Sequence, residues 1–179
     1  MKRLQLRFES IQEVVGSDRL AVIMLTDEPR KRAISIICDE VMTHQILMRL
    51  QARETCKNML PETLVSILPG EYEMMIYGVH DGQYQVVLAD KDFDHSKLIR
   101  ISDAVLLNII SGYPIYIEES LMNQQSIAFD EHARGVAIPI NTMDTKRLNV
   151  ALKQAISSEN YELASQLRDE IKRRGISGK

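Results

Sequence analysis

Leu98-Ile99-Arg100-Ile101-Ser102-Asp103-Ala104-Val105-Leu106-Leu107-Asn108-Ile109-Ile110-Ser111-Gly112-Tyr113-Pro114-Ile115-Tyr116-Ile117 reads as strand, helix, strand. The apolar run Leu98–Ile101 has strand character. Ser102 and Asp103 are suited to capping a helix that runs through Ser111, where Gly112 can take the left-handed conformation that closes it. Pro114–Ile117 is strand again. On both sides of this segment helical and extended patterns interleave irregularly, which favours an α+β fold over a doubly wound sheet.

Upstream, Leu4, Leu6, Phe8 and Ser10 alternate with Gln5, Arg7 and Glu9, the period of a half-buried strand. Gly16-Ser17-Asp18 is a turn, followed by strands at Leu20–Leu25 and Ala33–Ile37. Val41, Ile46, Leu47, Leu50 and Ala52 then fit a helix from Asp39 to Glu54, with Asp39 and Glu40 near the positive end of its dipole. Pro61 opens a short second helix carrying Leu64, Ile67 and Leu68, stopped by Pro69-Gly70. Tyr72–Val79 and Gln83–Ala89 flank an Asp81-Gly82 turn, a strong hairpin signal. Downstream, Glu118–Gln125 is a short helix, and the pattern is lost between Asp130 and Thr145. The expected organisation is a mixed β-sheet domain with packed helices over residues 1–127, a linker at 128–145 and an antiparallel helical hairpin at 146–175.

The chain has 179 residues and a net charge of −3, with 45% hydrophobic and 26% charged residues, enough apolar material for one core and a small appendage. Binding to nucleic acid draws most of its affinity from neutralised phosphates, and this composition lacks an overall basic footprint. No apolar stretch approaches the ~20 residues that cross a bilayer, and the alternating start is unlike a signal peptide, so no membrane and a cytoplasmic location are expected. Cys38 and Cys56 form no CxxC and have no His pair at zinc spacing, as for two reduced thiols.

Near the C-terminus, Leu148, Ala151, Leu152, Ala155 and Ile156 make one apolar helical stripe. A polar turn at Ser157–Asn160 leads to a second stripe of Tyr161, Ala164, Leu167 and Ile171, and Lys172–Arg174 complement the helix end before Gly175. Helices this short are marginal alone, so the pair must share a face. Ala155-Ile156, Glu159-Asn160-Tyr161-Glu162, Ala164, Leu167-Arg168-Asp169 and Ile171 resemble the UVR motif, which nucleotide-excision-repair subunits share with regulators of Clp-type proteases. The resemblance implies a protein partner, met through Tyr161, Glu162, Leu167, Arg168 and Asp169.

Arg100–Val105 and Gly112–Ile117 resemble the most recognisable stretch of the bifunctional nuclease family, a strand leading into Arg-Pro-Ser-Asp-Ala, a helix and a Pro-Ile strand. The preceding order of elements fits as well, and the resemblance extends over residues 4–126. It implies cleavage of DNA and RNA, with nucleic acid as partner, and makes Arg100, Ser102 and Asp103 the candidate catalytic residues. Two departures stand out. Ile101 occupies the motif's Pro position, and Leu60-Pro61-Glu62-Thr63 replaces the family's Thr-His-Asp triplet, leaving Glu62 as a candidate binding residue without an imidazole beside it. Thr43-His44-Gln45 is similar but lies inside the first helix.

From the residues alone, Ser102 and Asp103 also have a structural explanation as helix-start residues. Arg100 could clamp a phosphate, or pair with Asp103. Asp90-Lys91-Asp92-Phe93-Asp94 begins like a calcium loop, but His95 stands where Gly is needed and Ile101 where Glu is needed. Those carboxylates could still serve a divalent metal, Mg or Mn, in phosphodiester cleavage. His44, His80, His95 and His132 make no local ligand motif, and no P-loop, GxGxxG or G-x-S-x-G is present. Two functions therefore stand side by side, a metal-dependent nuclease and a non-catalytic adaptor, in either case as a homo-oligomer.

Overall fold

The computed structural model describes residues 2–14, 20–68, 70–92, 94–131 and 140–177. The expected turn at Gly16–Asp18, together with Pro69, Phe93 and His132–Pro139, lies outside the described residues. Eight strands form one mixed sheet: β1 (Arg3–Glu13), β2 (Leu20–Asp27), β3 (Arg32–Asp39), β4 (Tyr72–His80), β5 (Gln83–Asp90), β6 (Ser96–Arg100), β7 (Ile115–Glu118) and β8 (Ile127–Ala128). Their spatial order is β6-β5-β4-β7-β1-β2-β3-β8. β7 runs parallel to β4 and antiparallel to β1. The helices are α1 (Glu40–Gln51), α2 (Leu60–Ile67), α3 (Ile101–Ser111), α4 (Glu119–Gln125), α5 (Thr145–Ser157) and α6 (Tyr161–Ser177). This is an α+β fold ending in two helices that pack together.

By its contacts the chain divides into two compact units, Met1–Gly78 with Tyr84–Ala137, and Val79–Gln83 with Ile138–Lys179. In the first unit, β2 is buried along both faces from Ala21 to Asp27, and β3 nearly so, which is why both sequences are almost continuously apolar. β6, α3 and β7 are consecutive in the chain, yet β5 and β4 lie between the two strands, so α3 crosses over the sheet. α3 packs against α1, α2 and β3 and buries Ala104, Val105 and Leu106.

Three expectations are corrected here. α1 buries Met42, Ile46 and Arg49, whereas Val41 and Leu50 are exposed, so its core face is rotated from the stripe read in the sequence. The N-cap of α3 is Arg100, not Ser102: β6 ends there in extended conformation, and Ser102 and Asp103 fall inside the first turn. α6 continues through Gly175 to Ser177. β8, a two-residue edge strand, is too short to leave a period in the sequence. α2 starts at Leu60 with Pro61 in its first turn as expected, but Leu64, Ile67 and Leu68 of its apolar stripe are exposed, as is Leu60.

In the second unit, Leu148, Ala155, Ala164 and Leu167 form a buried core, with Ile140, Met143, Ala151, Leu152 and Ile171 packed around it. Full burial of a Leu contributes about 1.5–3 kcal/mol, so this small cluster is what holds two short helices together. Asp144 caps α5 by accepting from the Arg147 amide at 2.7 Å, and Asn160 accepts from the Leu163 amide at 3.1 Å at the start of α6. The Asp81-Gly82 turn belongs to this unit: Asp81 Oδ1 accepts from the Thr145 amide at 2.8 Å and from its hydroxyl at 2.5 Å. Arg174 donates to Glu170 at 2.8 Å and to the Asn141 carbonyl at 3.0 Å, with its Nη1 3.6 Å from Asp81.

Candidate active site

Arg100 reaches the N-terminus of α3 because β6 delivers it there with φ −70° and ψ 147°, and no side chain at the cap accepts from the helix's first amides. Those amides and the positive end of the helix dipole make a place for an anion. Asp103, one turn on, folds back onto Arg100. The guanidinium donates through Nε to Oδ2 at 2.7 Å and through Nη2 to Oδ1 at 2.9 Å, a bidentate pair. The pair is open to solvent, with side-chain exposures of 69% for Arg100 and 34% for Asp103. Hydrogen bonding to Asp103 raises the pKa of Arg100, and the charges of Asp39 and Cys38 add to that effect.

The end of β3 thus lies close enough to Arg100 to feel its charge. Asp39 is the N-cap of α1 and accepts from the Met42 amide at 2.8 Å, while Thr43 donates its hydroxyl to the Asp39 carbonyl at 2.7 Å. Burial pushes the Cys38 thiol up, with the Thr43 hydrogen bond opposing.

The other sequence candidates lie apart from this pair. Both oxygens of Glu62 accept from Arg49, at 2.6 and 3.0 Å, and the Arg49 side chain is only 1% exposed. Gln45 and Met59 take the remaining Arg49 donors. Glu62 borders a cavity of about 240 Å³ that Ile109 and Ile110 line, next to the C-terminal half of α3 rather than its start. Asp90 is a hairpin-turn residue: its Oδ2 accepts from the His95 amide at 3.2 Å and lies 2.9 Å from His95 Nδ1, and this bonding to His95 lowers its pKa. His44 is exposed on α1.

The donor set does not fit a resident divalent metal. Among the described residues no group of three or more His, Cys, Asp or Glu side chains is placed to hold one, and both oxygens of Asp103 are engaged by Arg100. Of the hairpin residues, Tyr161, Glu162, Arg168 and Asp169 are exposed on α6, whereas Leu167 is fully buried in the hairpin's own core. Sequence reading missed a further cluster, Arg3, Tyr72, Glu73, Tyr113 and Tyr116, which line a larger cavity of about 660 Å³. Nothing in their spacing signals it, because they come from three separate segments.

Residues 22–130 match the family model described as the bifunctional nuclease domain, and residues 145–173 match that of the UvrB/uvrC motif. No curated protein matches the chain.

Proposed function

This chain belongs to the bifunctional nuclease family, and on that premise we propose that it hydrolyses phosphodiester bonds of DNA and RNA at the Arg100–Asp103 pair. The observation that carries the reading is an uncapped α3 N-terminus with an exposed guanidinium beside it, inside the matched region. A backbone phosphate there accepts from the first-turn amides and from Arg100, which turns from Asp103 to the stronger anion. Asp103 is then free to take a proton from water as the water oxygen attacks phosphorus and the bond to the leaving oxygen breaks, that oxygen taking a proton from solvent. Ser102, in the same first turn, contributes an amide to the phosphate. Mg or Mn enters this scheme only as an ion carried in on substrate phosphate, and no step depends on it. Glu62 acts indirectly, by neutralising Arg49 in the packing of α1 against α2.

Cleavage assays on DNA and RNA with Mg²⁺, Mn²⁺ or a chelator test this. Parent activity should fall about 100- to 10,000-fold in Asp103→Ala, the usual loss for a general base, and markedly in Arg100→Ala. A parent that cleaves neither polymer sinks the enzyme reading; an undiminished Asp103→Ala removes that residue from the site.

A second reading, a non-catalytic adaptor, is favoured by the closed Arg100–Asp103 pair and by the missing imidazole at Leu60–Thr63. In both readings the UVR motif recruits a protein, a repair or Clp-type protease component, through Tyr161, Glu162, Arg168 and Asp169. Partner capture by the full chain, compared with a chain ending at Asp144, tests that contact, and identical partner sets count against it; the cleavage assays separate the two readings.

A further inference from the structure

We propose that the 660 Å³ cavity at the C-terminal end of α3 is a nucleobase-stacking subsite for single-stranded nucleic acid. The proposal rests on the nucleic-acid reading given above and adds a second contact point to it. The cavity walls are aromatic and fixed in place. Tyr72 and Tyr113 meet with ring centroids 5.6 Å apart at 49°, and the Arg3 guanidinium lies 4.1 Å over the Tyr116 ring. Tyr113 is held on both sides of its backbone: Asn108 donates to its carbonyl at 2.8 Å and its amide donates to Ser111 Oγ at 3.1 Å. The next residue, Pro114, accepts from the Met74 amide at 2.9 Å, tying the loop to β4. A platform that needs no ordering on binding loses little entropy when a ligand stacks on it.

Charge selects the ligand. Arg3 is paired with Glu73 and Lys91 with Glu71, so each cation at the cavity already has a carboxylate. A phosphate gains little from cations engaged in this way, whereas an uncharged planar ring meets tyrosine faces and a guanidinium plane. Such stacking tolerates any base, because every base has a π-face, and it is open only to bases not already stacked in a duplex. Position agrees. The 11 residues of α3 span about 16 Å, which places the base site at one end of the helix and the Arg100 anion site at the other. One strand lying along α3 can present a phosphate to the first and an unstacked base to the second.

The test is anisotropy of the full chain with a 5′-labelled single-stranded oligonucleotide whose phosphorothioate linkages resist cleavage. A duplex of the same sequence serves as control. The parent should bind the single strand more tightly than the duplex. Tyr113→Ala should weaken binding by about 5- to 150-fold, the range for loss of one stacked base, and Tyr113→Phe should bind within about twofold of the parent. Tyr116→Leu, which keeps bulk but removes the ring, gives the same reading should Tyr113→Ala not fold. A parent that does not bind, or ring-deleted variants that bind as the parent does, overturn the proposal. Binding through these rings without cleavage of either polymer keeps the subsite and sinks only the nuclease. Cleavage with KM unchanged in Tyr113→Ala and Tyr116→Leu does the reverse.

Discussion

Asp27 sits at the turn between β2 and β3 with a side chain 4% exposed, and its Oδ1 accepts from the Lys31 amide at 2.9 Å and the Arg32 amide at 3.0 Å. Its Oδ2 accepts from Arg32 Nε at 2.9 Å, and Arg32 continues to Asn123 at 2.7 Å. Burial by itself would raise this carboxyl's pKa; the Arg32 and Lys31 donors outweigh it and hold the pKa below the ordinary carboxylate value. A depressed folded-state pKa adds stability above the unfolded value, about 3.9, and that stability is lost as pH falls through the lower folded value. Asp27→Asn should therefore lower stability in urea by about 2 kcal/mol at pH 7, the scale of charge-assisted hydrogen bonds, and the gap should close below pH about 4. A gap that persists unchanged at pH 2 would contradict this account. In the sequence Asp27 is only a polar residue between two strands, because which donors surround a carboxylate depends on how the turn closes.

Two glycines end elements in the left-handed region, where residues with a Cβ are strained. Gly112, at φ +78°, closes α3, and an added Cβ there meets nothing within 4 Å. Gly82, at φ +76°, completes the β4–β5 turn, and an added Cβ would lie 2.6 Å from the Met143 carbonyl oxygen. Gly112→Ala should cost about 1–2 kcal/mol, the left-handed penalty alone. Gly82→Ala should cost clearly more, and should lower hydrogen-exchange protection of the amides in α5 and α6, where Gly112→Ala should not. Equal losses in the two variants would show that the Met143 contact is unimportant. Both turns were legible in the sequence, since Asp-Gly and a Gly after a helical run announce backbone geometry locally. The Met143 contact was not, and neither was the buried face of α1. There Arg49 lies inside and Val41 outside, because Glu62 and Gln45 supply Arg49 with acceptors that helical periodicity does not reveal.

At the scale of the molecule, a net charge of −3 limits what electrostatics can contribute to nucleic-acid binding. If the strand is held by one or two phosphate contacts near Arg100 and by stacking elsewhere, log K should fall against log salt with a slope of about −0.7 to −1.4. A titration between about 50 and 200 mM salt measures it, and a slope steeper than about −4 would require a basic surface outside this account. Among the described residues no helix is long and apolar enough to cross a membrane. The sequence by itself determined the order and kind of most elements, the helical hairpin and the family. Each of these is written in local periodicity, in capping and turn residues, or in motifs of adjacent positions. Only the tertiary structure decided that Arg100 stands at the N-cap position of α3, that Glu62 neutralises Arg49, and that Arg3, Tyr72, Glu73, Tyr113 and Tyr116 line one cavity. The cavity depends on strands far apart in the chain becoming neighbours, β4 beside β7 and β7 beside β1, and pairing between distant segments leaves no period in the sequence.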